Sequence, residues 1–266
     1  MKRVEFKQNT SEWLKWRHGC LGASDANIIM GVSKFATPRQ LWKWKTGKET
    51  QSEANQYITN KGHELEKTAW SMYAFENEIN FERDVCGTHD CFDYISASFD
   101  GYSDVEKCVL EIKLLGREDF SNLKNGRIPK QYYPQLQQQM FVAGFKSCHF
   151  LGYNMDSKQI AYMVVEFDPI YCASLVFGVT EFKRMIDESI EPEVHPNDWV
   201  ELCGDDVIKY FDLWLDTKDK KWRQKVIELA PHRRCVYKNF QLYEKPSGGW
   251  VFRERRLRKQ VCKDSA

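Results

Sequence analysis

Ser98-Phe99-Asp100-Gly101 and, after a short gap, Leu110-Glu111-Ile112-Lys113-Leu114 decide the fold of this chain. Turn-forming residues lie between them, with Gly101, Ser103-Asp104 and Glu106-Lys107 leading into Cys108-Val109-Leu110, which is the pattern of a β-hairpin. Period-2 alternation in the second strand puts Glu111 and Lys113 on one face and the apolar residues on the other. Carboxylates that converge from adjacent strands can hold a divalent metal, with backbone and water oxygens completing its shell. A lysine two residues on, on the same face, can orient or activate a metal-bound water. That is the chemistry of metal-assisted phosphodiester hydrolysis.

The rest of the chain bounds this reading. Its 266 residues suffice for one sizeable α/β domain plus an appendage. A hydrophobic content of 42% with 14% aromatic residues indicates a packed globule. With a net charge of +1, any site for a polyanion must be a local basic surface. No apolar run approaches membrane-spanning length and no charged-then-apolar leader opens the chain, so the expected location is the cytoplasm, with no membrane partner. Nine cysteines are scattered without a CxxC pair, which supports neither a zinc ribbon nor a disulfide framework. Cys203, Cys235 and Cys262 are too widely spaced for an iron–sulfur cluster, and reduced thiols are expected.

Ser24-Asp25-Ala26-Asn27-Ile28-Ile29-Met30 reads as a short helix capped by Ser24 and ended at Gly31. A serine at a helix N-terminus with Arg17 nearby suits an anion, although the residues alone favour Ser24 as a plain cap and Arg17 paired with an acid. In Pro38–Lys45, Arg39, Lys43 and Lys45 either contact a phosphate backbone or form a solvated face. Residues 55–81 carry amphipathic spacing with apolar positions at 65, 69, 72, 73 and 75; Glu64 and Glu66, two apart, point in different directions. Val85–Cys91 and Tyr94–Ser98 read as strands feeding the hairpin. Arg117, opening a short helix or loop, contacts a phosphate or pairs with an acid. Five glutamines crowd Gln131–Gln139, yet Leu136, Met140, Phe141 and Gly144 keep helical spacing, so an ordered helix is expected, with Gln138 and Gln139 at solvent or a subunit contact. Ser147–Asn154 and Gln159–Glu166 form a closing hairpin, and Pro169–Ile190 one long helix.

Four of these stretches, in order, resemble the lambda exonuclease and YqaJ-type viral recombinase family of the PD-(D/E)xK nuclease superfamily. The D…ExK hairpin is similar to the superfamily's, with Phe99 where a proline is usual. W-x3-R-x-G-x3-A-S from Trp13 to Ser24 resembles the family's opening motif, G-x3-E the stretch ending at Glu66, and Y-x-x-Q the pair Tyr132 and Gln135. Order with spacing is far more specific than any single motif.

The resemblance implies a PD-(D/E)xK restriction-endonuclease-like α/β core, a central mixed sheet flanked by helices, over residues 1–196, with an α+β extension over 197–266. It implies that Glu66, Asp100, Glu111 and the Ile112 carbonyl hold one or two Mg2+ ions, for which Mn2+ can substitute. Lys113 and Gln135 would position the attacking water. Arg17, Ser24 and Ser98 would grip a DNA 5′-phosphate, while Glu64 becomes a surface residue and His63 lies on the helix surface. The implied activity is a 5′–3′ exonuclease on linear double-stranded DNA, leaving 3′ overhangs for a single-strand annealing partner. A homo-oligomer, a trimer in the family, is implied as well. Two other readings stay open: an endonuclease of a defence or restriction system on the same core, and a non-catalytic DNA-binding module.

No motif marks residues 197–266. Val207, Ile208, Phe211, Trp214, Leu215, Trp222, Val226 and Leu229 form an apolar stripe expected to pack on the core. Val236–Tyr243 and Trp250–Phe252 suggest a terminal hairpin, and Arg253–Lys259 adds a basic end, either solvated or guiding DNA.

Overall fold

A computed structural model describes residues 1–50 and 56–254, without the side chains of 56–64. The chain divides into two compact units, Met1–Glu193 and Val194–Ala266. Among the described residues no helix is long and apolar enough to cross a membrane.

The first unit runs β1 (Lys2–Val4), α1 (Ser11–Gly19), β2 (Leu21–Gly22), α2 (Ala23–Ile29), α3 (Pro38–Lys45), α4 (Gln56–Asn77), β3 (Cys86–Thr88), β4 (Ile95–Ser98), β5 (Gly101–Ser103) and β6 (Cys108–Leu114). It continues with α5 (Arg117–Lys124), α6 (Tyr133–Ala143), β7 (Ser147–Asn154), β8 (Gln159–Glu166) and α7 (Pro169–Asp187). The central sheet is mixed, in the order β5-β6-β7-β8, with β6 and β7 parallel and both outer pairs antiparallel. The crossover between the parallel strands carries α5 and α6, as a parallel pair requires. A second sheet, β1-β3-β4-β2, delivers the chain through β4 into the hairpin.

Alternation along β6 sorts its side chains as expected. Cys108, Leu110 and Ile112 join Ala69 and Tyr73 of α4 in one apolar cluster, whereas Val109 joins Leu136 and Met140 of α6 in the other. Glu111 and Lys113 share the parity of Val109, and both are bonded from the α6 side. The expected apolar position Phe75 is instead 89% exposed. The substitution of phenylalanine for proline before Asp100 has a direct cause. The Phe99 N–H donates to the Val85 carbonyl (3.0 Å), a bond proline cannot make, and the Phe99 ring is fully buried. Gly101 is tight as well, since a Cβ there would sit 3.0 Å from Leu110 and Phe81.

Helix α6 is buried nearly all round, and that explains its glutamines. Gln137 donates to the Glu166 carbonyl and accepts from the Asp168 N–H, both at 2.9 Å. Gln138 donates to the carbonyls of Leu21 (2.9 Å) and Ser96 (3.0 Å). Gln138 and Gln139, expected at solvent or a subunit contact, are 1% and 0% exposed and bonded within the chain. A primary amide supplies two donors and an acceptor, so it can settle unpaired backbone groups inside a core where an apolar side chain would leave them unsatisfied. Gly144 ends the helix in the left-handed conformation (φ 73°).

The second unit holds its own core. It comprises β9 (Val200–Glu201), α8 (Asp205–Thr217), α9 (Lys220–Leu229), β10 (Arg234–Tyr237), β11 (Phe240–Glu244) and β12 (Trp250–Glu254). The sheet order is β12-β11-β10-β9, and Phe211, Val226, Cys235 and Leu242 are fully buried in it. The apolar stripe therefore closes on the unit's own sheet. It is broken into two helices at Lys218, whose φ is +54°. Val236–Tyr243 is not one strand of a terminal hairpin but a hairpin in itself, turning at Lys238 (φ +50°), with Trp250–Glu254 added as a third strand. The expected basic end from 255 onward lies outside the described residues.

Candidate active site

Asp100 leaves β4 at the turn into β5, and its Oδ2 accepts the N–H of Ile112 on β6 (2.7 Å). That bond locks the hairpin in the register that sets Asp100 beside Glu111. The Glu111 carboxylate is 3% exposed and takes three donors: Lys113 Nζ and Gln135 Nε2 on Oε1, each at 2.5 Å, and Gln139 Nε2 on Oε2, also at 2.5 Å. Gln135 is itself held, its N–H donating to Asn27 Oδ1 (3.0 Å) and its Oε1 accepting from Asn27 Nδ2 (3.3 Å). Sequence reasoning set Gln139 at solvent or a subunit contact and gave Asn27 no role at the site. The signal for Gln139 was its i+4 spacing from Gln135, which puts both amides on one helix face.

The electrostatics fit a site made for a cation. Burial, and then the charges of Glu111 and Glu66, push the Asp100 carboxyl well above the usual carboxylate range. Burial alone would lower the Lys113 ammonium, but the charges of Glu111 and Asp100 outweigh it and hold Lys113 above its ordinary value. Desolvated acids kept together with only one cation between them suit the hard oxygen set that Mg2+ prefers. Among the described residues, however, no three such ligands stand close enough to hold an ion unaided. Glu66, on α4, lines the same cavity and acts on Asp100 by its charge, without joining Asp100 and Glu111 in a ready three-acid cage. The expected contrasts with Glu64 and His63 lie outside the described side chains.

This cavity, of about 650 Å3, also contains the expected phosphate grip. Arg17 Nη2 donates to Ser24 Oγ (2.5 Å), and its guanidinium lies over the Trp13 ring at 4.9 Å. Trp13 Nε1 in turn donates to Ser98 Oγ (3.2 Å). One buried tryptophan thus contacts two of the three residues expected to grip a phosphate. The plain readings of Arg17 and Ser24 do not hold. Among the described residues no acid pairs with Arg17, and the cap of α2 is Gly22, whose N–H donates to Asp25 Oδ2 (3.0 Å). Lys7, Lys67 and Arg83 also line the cavity, beside the acids Glu66, Asp84, Asp100 and Glu111.

The remaining basic candidates are placed elsewhere. Lys45, its side chain 9% exposed, clasps the carbonyls of Arg17 and Cys20 and the Asp25 carboxylate, so its ammonium is spent on fixing this loop. Arg39 pairs with Glu191 (2.7 Å) and Lys43 with Glu49 (2.6 Å). Arg117 begins α5, exposed, beside a separate shallow pocket with Lys124 and Asn154. The described cysteines are all free thiols.

Residues 12–146, just over half of the chain, match the YqaJ-like viral recombinase domain. An uncharacterised protein YqaJ of Bacillus subtilis (strain 168) is 32% identical over 153 residues, 54% of this chain and 47% of that protein. Protein R354 of Acanthamoeba polyphaga mimivirus, also uncharacterised, is 25% identical over 168 residues, 58% of this chain and 30% of that protein. The chain thus spans less than half the length of these two relatives. Among solved structures, the alkaline exonuclease LHK-Exo of Laribacter hongkongensis superposes with a TM-score of 0.57 at 25% identity, over 68% of this chain and 95% of that one. Its complex with dAMP gives a TM-score of 0.59 at 26% identity, with the same coverage. A phage related exonuclease of Haemophilus somnus 129PT, at 15% identity and a TM-score of 0.52 over 64% of this chain and 95% of that one, shares the fold. The fold is the α/β PD-(D/E)xK-like fold of these exonucleases.

Proposed function

The chain belongs to the YqaJ-like viral recombinase family, and from that premise we propose that it is a phage-type, Mg2+-dependent 5′–3′ exonuclease acting on ends of linear double-stranded DNA. One observation carries the reading: a single cavity holds Asp100, Glu111, Lys113 and Gln135 together with Arg17, Ser24 and Ser98. A hydrolytic centre and a terminal-phosphate grip side by side suit an enzyme that begins at an end. The name of the structural relative at 25% identity, alkaline exonuclease, supports the same class.

Asp100, Glu111, Glu66 and the Ile112 carbonyl, next to Glu111 on β6, would hold the metal, a hard oxygen set of the kind Mg2+ prefers. The bound ion supplies charge stabilisation at the scissile phosphate and lowers the pKa of a water. Lys113 offsets the charge that gathers on the phosphate oxygens, and its bond to Glu111 Oε1 fixes its ammonium at the reaction centre. Gln135, held by Asn27, orients the attacking water through its amide. Arg17 and Ser24 seat the 5′-terminal phosphate, and Ser98, linked to Arg17 through Trp13, completes the grip. Repeated hydrolysis from that end leaves a 3′ single strand for an annealing protein, within a homo-oligomer, trimeric by analogy, in the cytoplasm of the host cell.

Linear duplexes labelled on the 5′ or 3′ strand, with 5′-phosphate or 5′-hydroxyl ends, test this reading. Wild type should shorten the 5′-ended strand and prefer phosphorylated ends. Arg17→Ala should lose that preference, about tenfold or more if one charge-assisted contact is removed. Shortening of the 3′-ended strand, or an undiminished preference in Arg17→Ala, would contradict it.

A further inference from the structure

The Glu111 carboxylate has about four lone-pair directions. Two on Oε1 are taken by Lys113 and Gln135, and one on Oε2 by Gln139. The direction left for a cation is therefore on Oε2, the oxygen that Gln139 alone holds. Gln139 Nε2 also donates to the Ser98 carbonyl (3.2 Å), at the end of the strand that delivers Asp100. Its amide thus ties the Asp100 strand to the Glu111 carboxylate, and both of its N–H donors are spent on that tie. Asn27 acts one step away. By giving to Gln135 Oε1 and taking from Gln135 N–H, it fixes which end of that amide faces Glu111. Both residues are buried, at 0% and 9% exposure. Buried amides are costly without partners, and here the partners are the site itself.

We propose that Gln139 and Asn27 are positioning residues: Gln139 sets Glu111 against Asp100 for the cation, and Asn27 sets the Gln135 amide for the attacking water. The proposal rests on the nuclease reading above. Gln139→Met keeps the side-chain volume and removes the amide. Calorimetric Mn2+ titration of the folded protein, without DNA, should show binding about 10- to 100-fold weaker than wild type, the usual effect of losing an outer-shell partner. The half-saturating Mg2+ concentration in DNA hydrolysis should rise in parallel. Leu136→Val, a core change on the same helix, should leave Mn2+ affinity unmoved and so separates positioning from loosened packing. Asn27→Ala should lower turnover at saturating Mg2+ about tenfold with Mn2+ affinity within twofold of wild type, because Asn27 touches Gln135 and not Glu111.

Wild-type affinity in folded Gln139→Met overturns the proposal. If Gln139→Met does not fold, Asn27→Ala decides it: unchanged turnover, or a loss of metal affinity equal to its loss of turnover, overturns it. Glu111→Gln keeps the two failures apart. A wild-type protein with no Mn2+ site that Glu111→Gln removes would sink the nuclease reading itself, whereas an intact site indifferent to Gln139 would sink only the positioning role.

Discussion

Lys113→Ala is expected to lower DNA hydrolysis by at least 10^2- to 10^3-fold while leaving end binding in place. The magnitude is that of removing one preorganised electrostatic stabiliser from a shielded site. Binding should survive because Arg17, Ser24 and Ser98, proposed to hold the terminus, are bonded to one another and to Trp13 and not to Lys113. The same substitution has a second signature. Lys113 is the cation paired with Glu111, whose side chain is only 4% exposed, and Asp100 lies beside it. Lys113 is itself 28% exposed and Glu111 keeps two amide donors, so removing this partner costs less than the about 3–5 kcal/mol of a fully buried pair. The loss should show in chelator and shrink when Mg2+ is added, since a bound cation replaces the missing charge. Filter binding and thermal unfolding, each with and without Mg2+, check both parts. A Lys113→Ala protein that cleaves normally, or whose stability ignores Mg2+, would contradict the role given to this lysine.

Asp100→Asn is expected to abolish hydrolysis and yet stabilise the metal-free protein. Burial and the neighbouring Glu111 hold the Asp100 carboxyl well above its ordinary pKa, so folding disfavours its charged form. The sign follows from linkage. Below the unfolded-state pKa both states are protonated and no penalty exists. As pH rises through the folded-state value the native protein loses stability relative to the unfolded chain. An uncharged asparagine escapes that loss, and its oxygen can still accept the Ile112 N–H. The gain should therefore be absent in acid and grow toward neutral pH, reaching about 0.5–2 kcal/mol, the range common for single stabilising changes. Mg2+ should erase the difference, because only wild type recovers stability by binding it. A metal-free Asp100→Asn protein less stable than wild type at neutral pH would contradict this electrostatic picture.

Both substitutions address residues visible in the sequence, because a strand declares its faces by simple alternation. Glu111 and Lys113 fall on one side of β6 for that reason, and the hairpin of β7 and β8 runs over the residues its apolar pattern marked. The glutamines of α6 were misread because a helix buried on all sides has no polar face for its polar residues to mark. What Gln138 and Gln139 do depends on strands that reach them from elsewhere in the chain: Leu21, Ser96, Ser98 and Glu111. The helix cap was placed two residues late, at Ser24, since Gly22, with Asp25 three residues on, makes an equally good helix start. Lys45 looked like a surface cation until folding brought Asp25 and two backbone carbonyls around it. The breaks at Lys218 and Lys238 carry no glycine, so the left-handed turns that split α8 from α9 and β10 from β11 had no local marker.

The central claim is that hydrolysis at Asp100, Glu111 and Lys113 starts only from a DNA terminus seated at Arg17 and Ser24. Equal masses of linear duplex with 5′-phosphates and of covalently closed circular duplex, each given Mg2+ or chelator, measure it directly through nucleotide release. Release from the linear DNA alone, and only with Mg2+, is the predicted result. Cutting of the closed circle, or release from linear DNA that persists in chelator, would contradict it.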